Sequence, residues 1–151
     1  MTAPDEHAHG IGLDLAPWRQ DTVLFAGLLA LILVFLAARV IRLRVRHRVG
    51  IGDGGQPDLA RAIRVHGNFV EYTPLGLLLI LLIELAGYAP WLVQTLGGAL
   101  VAGRLLHALG LSRSSGESMP RLIGMVLTFA VLVVGGGLCL LAWVEGFLPA
   151  D

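Results

Sequence analysis

Residues 61–74, Arg-Ala-Ile-Arg-Val-His-Gly-Asn-Phe-Val-Glu-Tyr-Thr-Pro, run directly into Leu75-Gly-Leu-Leu-Leu-Ile-Leu-Leu-Ile83 without a loop. A helix that begins charged and continues as pure hydrocarbon leaves the chain few folds. The apolar part must span a bilayer. The polar part must project beyond it or be buried within protein.

The rest of the sequence agrees with a membrane setting. Hydrophobic residues make up 56% of the 151 residues, above the roughly 45–50% usual for soluble domains. Thr22 to Ala38 carries no charge and is bounded by Asp21 and Arg39. It rises about 26 Å as a helix, near the short limit for a span. The second helix reads as Leu59 to Ala86, broken at Gly87, and a helix of that length rises about 40 Å against a hydrocarbon core of about 30 Å. Further spans run from Trp91 to Leu109 and from Leu122 to Trp143. The expected fold is therefore all-α, an integral membrane four-helix bundle of up-down topology. It divides into a polar lead-in (residues 1–21), a transmembrane domain (22–145) and a short tail (146–151).

Local signals set the expected ends. Asp21 or Thr22 can cap the first helix, and Asp58 can cap the second just after Pro57. Arg42 to Arg48 alternates basic and apolar residues, and the expectation is a frayed helix end followed by a loop. That basic cluster serves as a topological anchor or, on a sharper reading, as a site for anionic lipid. Gly97, Gly98, Ala99, Ala102 and Gly103 offer close helix approach on span three. The acidic N-terminus (Asp5, Glu6) has no positive n-region, so span one is expected to act as an uncleaved insertion signal. His7 and His9 lie beside acids but read as a solvated tail, and no metal site is expected. Cys139, the single cysteine, sits among leucines and reads as packing.

All eleven basic residues are arginine, so every cation keeps its charge when buried. Arginines cluster between spans one and two and around the three–four connection (Arg104, Arg113, Arg121), whereas the other face has Arg19. The positive-inside rule then puts both loops in the cytoplasm and both termini outside.

On a helical wheel Asp58, Arg61, Arg64, Asn68, Glu71 and Tyr72 share one face within an arc of about 140°, while His66 points elsewhere. From Tyr72 to Ala86 only about 22 Å of helix remains, so Asn68 and Glu71 sit at or inside the hydrocarbon boundary. A charge facing lipid there costs at least about 2.5 kcal/mol. The stripe should face other helices, and Glu71 needs a cation. Arg64, seven residues back, reads as too distant. Arg104, Arg121 or an arginine of a neighbouring subunit are the better donors. Pro74 lacks an N–H and frees the Val70 carbonyl, which predicts a kink. Arg104 and His107 share a face near the end of span three. Arg121 opens span four, where a cation opposes the helix dipole and an adjacent anion would relieve it. The outer half of every span reads as apolar, which argues against a transport path.

These residues carry a resemblance. Arg61-x-x-Arg64-x-x-x-Asn68-x-x-Glu71-x-x-Pro74 on the second of four spans resembles the signature of the MAPEG family, the membrane-associated proteins of eicosanoid and glutathione metabolism. Gly103-Arg104-x-x-His107 and Arg121-x-x-Gly124 resemble its other blocks, and the likeness covers about residues 20–145. The resemblance implies a homotrimer of four-helix subunits with glutathione bound between subunits near the cytoplasmic side. It assigns Arg61, Arg64, Asn68, Glu71, Tyr72, Arg104 and His107 to glutathione binding. Arg121 is placed beside the thiol, where it would stabilise the thiolate nucleophile. Ser114 and Ser115 are alternatives for that place. A site of several arginines and one glutamate also complements glutathione charge for charge. Gly67 and Leu111 depart from members that carry arginine and tyrosine there, as in the bacterial branch, which implies an inner-membrane location.

The implied function is a glutathione-dependent transferase or peroxidase acting on lipophilic electrophiles that reach the thiolate from the bilayer. The alternative is a non-catalytic membrane protein that binds lipid or glutathione as a scaffold or regulator. Glutathione, a lipophilic small molecule, the bilayer and further copies of the chain are the expected partners, with no nucleic acid.

Overall fold

In a computed structural model, residues 21–113 and 118–146 are described. They form four helices, α1 (Asp21–His47), α2 (Pro57–Leu85), α3 (Pro90–Arg113) and α4 (Met119–Glu145). All four are long and apolar enough to cross a membrane. Among the described residues there is no strand. The lead-in with His7, His9 and Arg19, the loop serines Ser114 and Ser115, and the tail from residue 147 lie outside the described residues.

The apolar surface fits lipid. Leu31, Val34 and Phe35 on α1 and Val126, Val133 and Leu140 on α4 are exposed, a distribution that water would penalise. Inside, Leu29, Leu36, Val65, Phe69, Ile80 and Leu100 anchor one core. Cys139 packs against it, half-buried. Lipid tails are as apolar as leucine, so close packing and polar contacts must hold the helices together. The α3–α4 seam has this character. A Cβ on Gly124 would lie 2.5 Å from the His107 amide nitrogen and 2.6 Å from the Gly103 carbonyl oxygen. Gly97 instead receives the Phe25 ring of α1, and Gly98 faces open space. Only part of the small-residue run on α3 therefore serves close approach.

Two helix ends differ from expectation. α1 does not fray from Arg42 but continues helical to His47, because contacts with the loop and with the start of α2 hold its last turns. Arg44 Nη1 donates to the Gly50 and Gly52 carbonyls at 3.1 and 3.0 Å. His47 Nε2 lies 3.0 Å from Asp58 Oδ2. Asp58 is thus not the α2 cap. The capping position is Gln56, without a side-chain bond, and Pro57 opens the helix, where its missing N–H costs nothing. Pro74 lies within α2, which continues on both sides of it. The α2–α3 turn closes on Gly87 at φ +83°. The Tyr88 N–H reaches the Ile83 carbonyl at 3.3 Å, a glycine-terminated helix end.

That turn corrects a further expectation. Its end of the bundle is not wholly apolar, because Glu84 is 3% exposed and its carboxylate accepts the Asp21 and Thr22 amides at 3.1 and 3.3 Å. One turn of α1 is therefore capped by a side chain of α2. A carboxylate at a helix N-terminus gains from both the orphan amides and the dipole. Glu84→Leu should destabilise the protein by about 2 kcal/mol, read as a lower melting temperature in detergent. Glu84→Gln, which keeps one acceptor, should lose markedly less.

Candidate functional site

The polar stripe of α2 meets α3 and α4 at the bundle end opposite Glu84. Its centre is Arg104 of α3, 1% exposed. Arg104 Nη1 donates to Asn68 Oδ1 at 2.8 Å and to the Asn68 carbonyl at 3.2 Å. The guanidinium carbon lies 5.6 Å from the centroid of the Tyr72 ring, within cation–π range. Its Nη2 lies 3.7 Å from Met125 Sδ on α4. Asn68 is 6% exposed. The edge of Tyr72 meets Phe129 of α4 at 5.6 Å between centroids and 69° between planes. One buried cation thus ties three helices together.

Beside it opens a cavity of about 290 Å³ lined by Arg64, Asn68, Tyr72, His107, Leu111, Arg121 and Met125. His107 is buried one turn beyond Arg104, and Gly124 gives its backbone room. Gly110 does the same for Arg121: a Cβ there would lie 2.7 Å from the Arg121 amide nitrogen. Gly103 and Gly110 stand two turns apart on α3 and bring the start of α4 against the site. A second cavity, about 460 Å³ and lined by Ser118, Met119, Arg121, Leu122 and Met125, shares Arg121 and Met125 with the first. Among the described residues, the charged side chains lining the polar cavity are arginines and no carboxylate lines it, so these residues present donors to an anion.

The sequence-derived set divides. Arg64, Asn68, Tyr72, His107 and Arg121 line the cavity, and Arg104 packs behind Asn68 and Tyr72. Arg61 is half-buried and Glu71 exposed, and neither lines it. The pairing of Glu71 differs from expectation: Arg64 Nη1 lies 3.5 Å from Glu71 Oε1. Seven residues are two helical turns, about 10.5 Å of rise with little rotation, and two long extended side chains close that gap. Arg104, proposed as a donor to Glu71, is committed to Asn68 instead. Both members of the Arg64–Glu71 pair lie on the surface of the bundle, with side chains 67% and 48% exposed. Met125 and Gly110 were not anticipated. Met125 was legible as the residue one turn after Arg121 on the same face. Gly110 lay outside the small-residue run that drew attention. Among the described residues no three His, Cys, Asp or Glu side chains gather as metal ligands.

The model of the MAPEG family matches residues 22–141, which takes in all of these side chains. The chain belongs to the MAPEG family. Two relatives are the proteins named "Inner membrane protein YecN" of Escherichia coli strain K12 and of Escherichia coli O6:H1. Each is 46% identical over 89 residues, covering 59% of this chain and 68% of the relative. With four apolar helices and inner-membrane relatives, this MAPEG protein is an integral, multi-pass membrane protein.

The Arg104–Asn68 bond carries a stability consequence. Asn68→Leu should cost about 2–3 kcal/mol, because the buried guanidinium loses its side-chain acceptor. Glu71→Gln, at an exposed pair, should cost less than about 1 kcal/mol. Thermal unfolding of the two variants in one detergent measures the difference.

Proposed function

We propose that this protein is a membrane-bound glutathione-dependent transferase or peroxidase acting on lipophilic electrophiles. The observation that carries the reading is a pair of cavities that share two lining residues. One is lined by Arg64, Asn68, His107 and Arg121 and the other mainly by apolar side chains, with Arg121 and Met125 common to both. Glutathione carries two carboxylates, an ammonium and a thiol. Arg64 and His107 offer donors to its carboxylates, Asn68 offers amide contacts, and Glu71 at the rim offers a counter-charge to its ammonium. Arg104 acts from behind by fixing Asn68 and Tyr72. Arg61, half-buried on the same helix, adds positive field at the approach.

In this mechanism Arg121 stabilises the thiolate electrostatically and takes no proton, since a guanidinium stays charged at neutral pH. The thiol proton leaves to solvent. The thiolate sulfur then attacks the electrophilic carbon, a C–S bond forms, and the leaving group departs with its electron pair. With a lipid hydroperoxide the sulfur instead attacks the terminal peroxide oxygen and the O–O bond breaks, leaving a glutathione sulfenic acid and the lipid alkoxide. A second glutathione then closes the disulfide, giving an alcohol and water. Met119, Leu122 and Met125 would hold the apolar substrate, and methionine tolerates varied shapes.

The reading includes an up-down bundle assembled as a homotrimer, with both termini outside and the site near the cytoplasmic face. Two exposed charges on α2, Arg64 and Glu71, support assembly because a neighbouring subunit would cover them at the membrane boundary. Leu111 in the cavity wall favours a second reading, a non-catalytic binder of glutathione or lipid. An apolar side chain there removes the hydroxyl that the family resemblance would supply.

Calorimetric titration with glutathione, paired with conjugation of a small aryl halide, separates the two. The enzyme reading expects binding by the wild type at millimolar glutathione or below, and measurable turnover. Arg121→Ala should bind but lose about 100-fold or more in turnover. Binding without turnover would establish the second reading, and no binding at millimolar concentration would exclude both for glutathione.

A further inference from the structure

We propose that the groove between α1 and α3 binds an anionic phospholipid, with Arg39 holding its phosphate. The groove encloses about 500 Å³, and Leu31, Phe35, Leu105 and Leu109 supply much of its wall. It shares no lining residue with the two cavities around Arg121. Arg39 and Ser112 close one end, and Arg39 Nη1 donates to Ser112 Oγ at 2.6 Å.

Three observations select the occupant. First, Phe35 and Leu31 are 62% and 71% exposed on a membrane-spanning helix, so this wall faces acyl chains. Second, Arg39 is half-buried and forms no ion pair with a carboxylate among the described residues. The ion pairs found there are His47–Asp58 and Arg64–Glu71. A half-buried cation in this position is complemented by an anion, and a guanidinium fork suits phosphate oxygens. Third, Arg39 follows the last residue of the uncharged run ending at Ala38, the level at which headgroups meet hydrocarbon. From Leu31 to Arg39 the helix rises about 12 Å, so an acyl chain can follow α1 while its phosphate meets Arg39. The bond to Ser112 holds the guanidinium over the groove. Arg42 is the contrast: it is exposed, and its Nε is bonded to the Ala38 carbonyl of its own helix at 3.3 Å.

Native mass spectrometry in a neutral detergent tests the proposal, with dioleoylphosphatidylglycerol, dioleoylphosphatidylcholine and oleate as the probes. The wild type should retain phosphatidylglycerol about tenfold more tightly than phosphatidylcholine, as one charge-assisted contact allows. Arg39→Gln should abolish that preference, while Arg42→Gln keeps it. Ala108→Trp, which fills the groove with Arg39 intact, should reduce retention of both phospholipids and tests the site even where Arg39→Gln does not fold. Equal retention of the two phospholipids by the wild type would overturn the proposal. So would a preference that survives Arg39→Gln, retention unchanged by Ala108→Trp, or oleate displacing phosphatidylglycerol at equal concentration.

Discussion

A guanidinium that cannot lose its charge sits almost fully buried between membrane-spanning helices. Arg104 can be there because Asn68 offers it two oxygens and Tyr72 offers it a ring face. Leaving it unpartnered would cost several kcal/mol, whether the surroundings are lipid or protein. The contact therefore fixes where α2 lies along α3. The glycines at 103 and 124 then let α4 approach until Met125 and Phe129 close over the same cluster. The cavity beside it exists because these contacts hold its walls apart.

The two ends of the bundle follow one logic with opposite charge. At one end a buried arginine is held through Nη1 by an amide and a carbonyl, while its Nε has no hydrogen-bond partner among the described residues. At the other a buried glutamate is satisfied by the first amides of α1. Between them the interior is hydrocarbon and gains little from being sequestered, since lipid is equally apolar. The polar contacts and the glycine seams thus set how the helices align, and the apolar side chains fill the space that results.

Much of this was legible in the sequence. The uncharged runs give four helices, and the wheel of residues 58–72 puts the stripe on one face. Family blocks then point to Arg104, His107 and Arg121. What was not legible depends on side-chain reach and on contacts between helices. Arg64 meets Glu71 because long side chains span two turns, which a wheel of Cα positions does not display. Glu84 carries no signal within its own apolar run, and only the packing of α1 against α2 gives it amides to accept. The last turns of α1 persist because Arg44 binds the following loop and His47 binds Asp58 at the start of α2, tertiary effects absent from the alternating pattern of residues 42–48. Gly110 drew no notice because an isolated glycine in a helix has no signal of its own until α4 is laid against it.

The functional account turns on one electrostatic claim, that Arg121 stabilises the glutathione thiolate at neutral pH. Stopped-flow mixing of the detergent-solubilised protein with glutathione in weak buffer, containing a pH indicator, measures this directly. An ultraviolet difference spectrum reports the thiolate in parallel. The account predicts release of close to one proton per bound glutathione together with thiolate absorbance, and loss of both signals in Arg121→Ala. Binding by the wild type without proton release and without thiolate absorbance would contradict it.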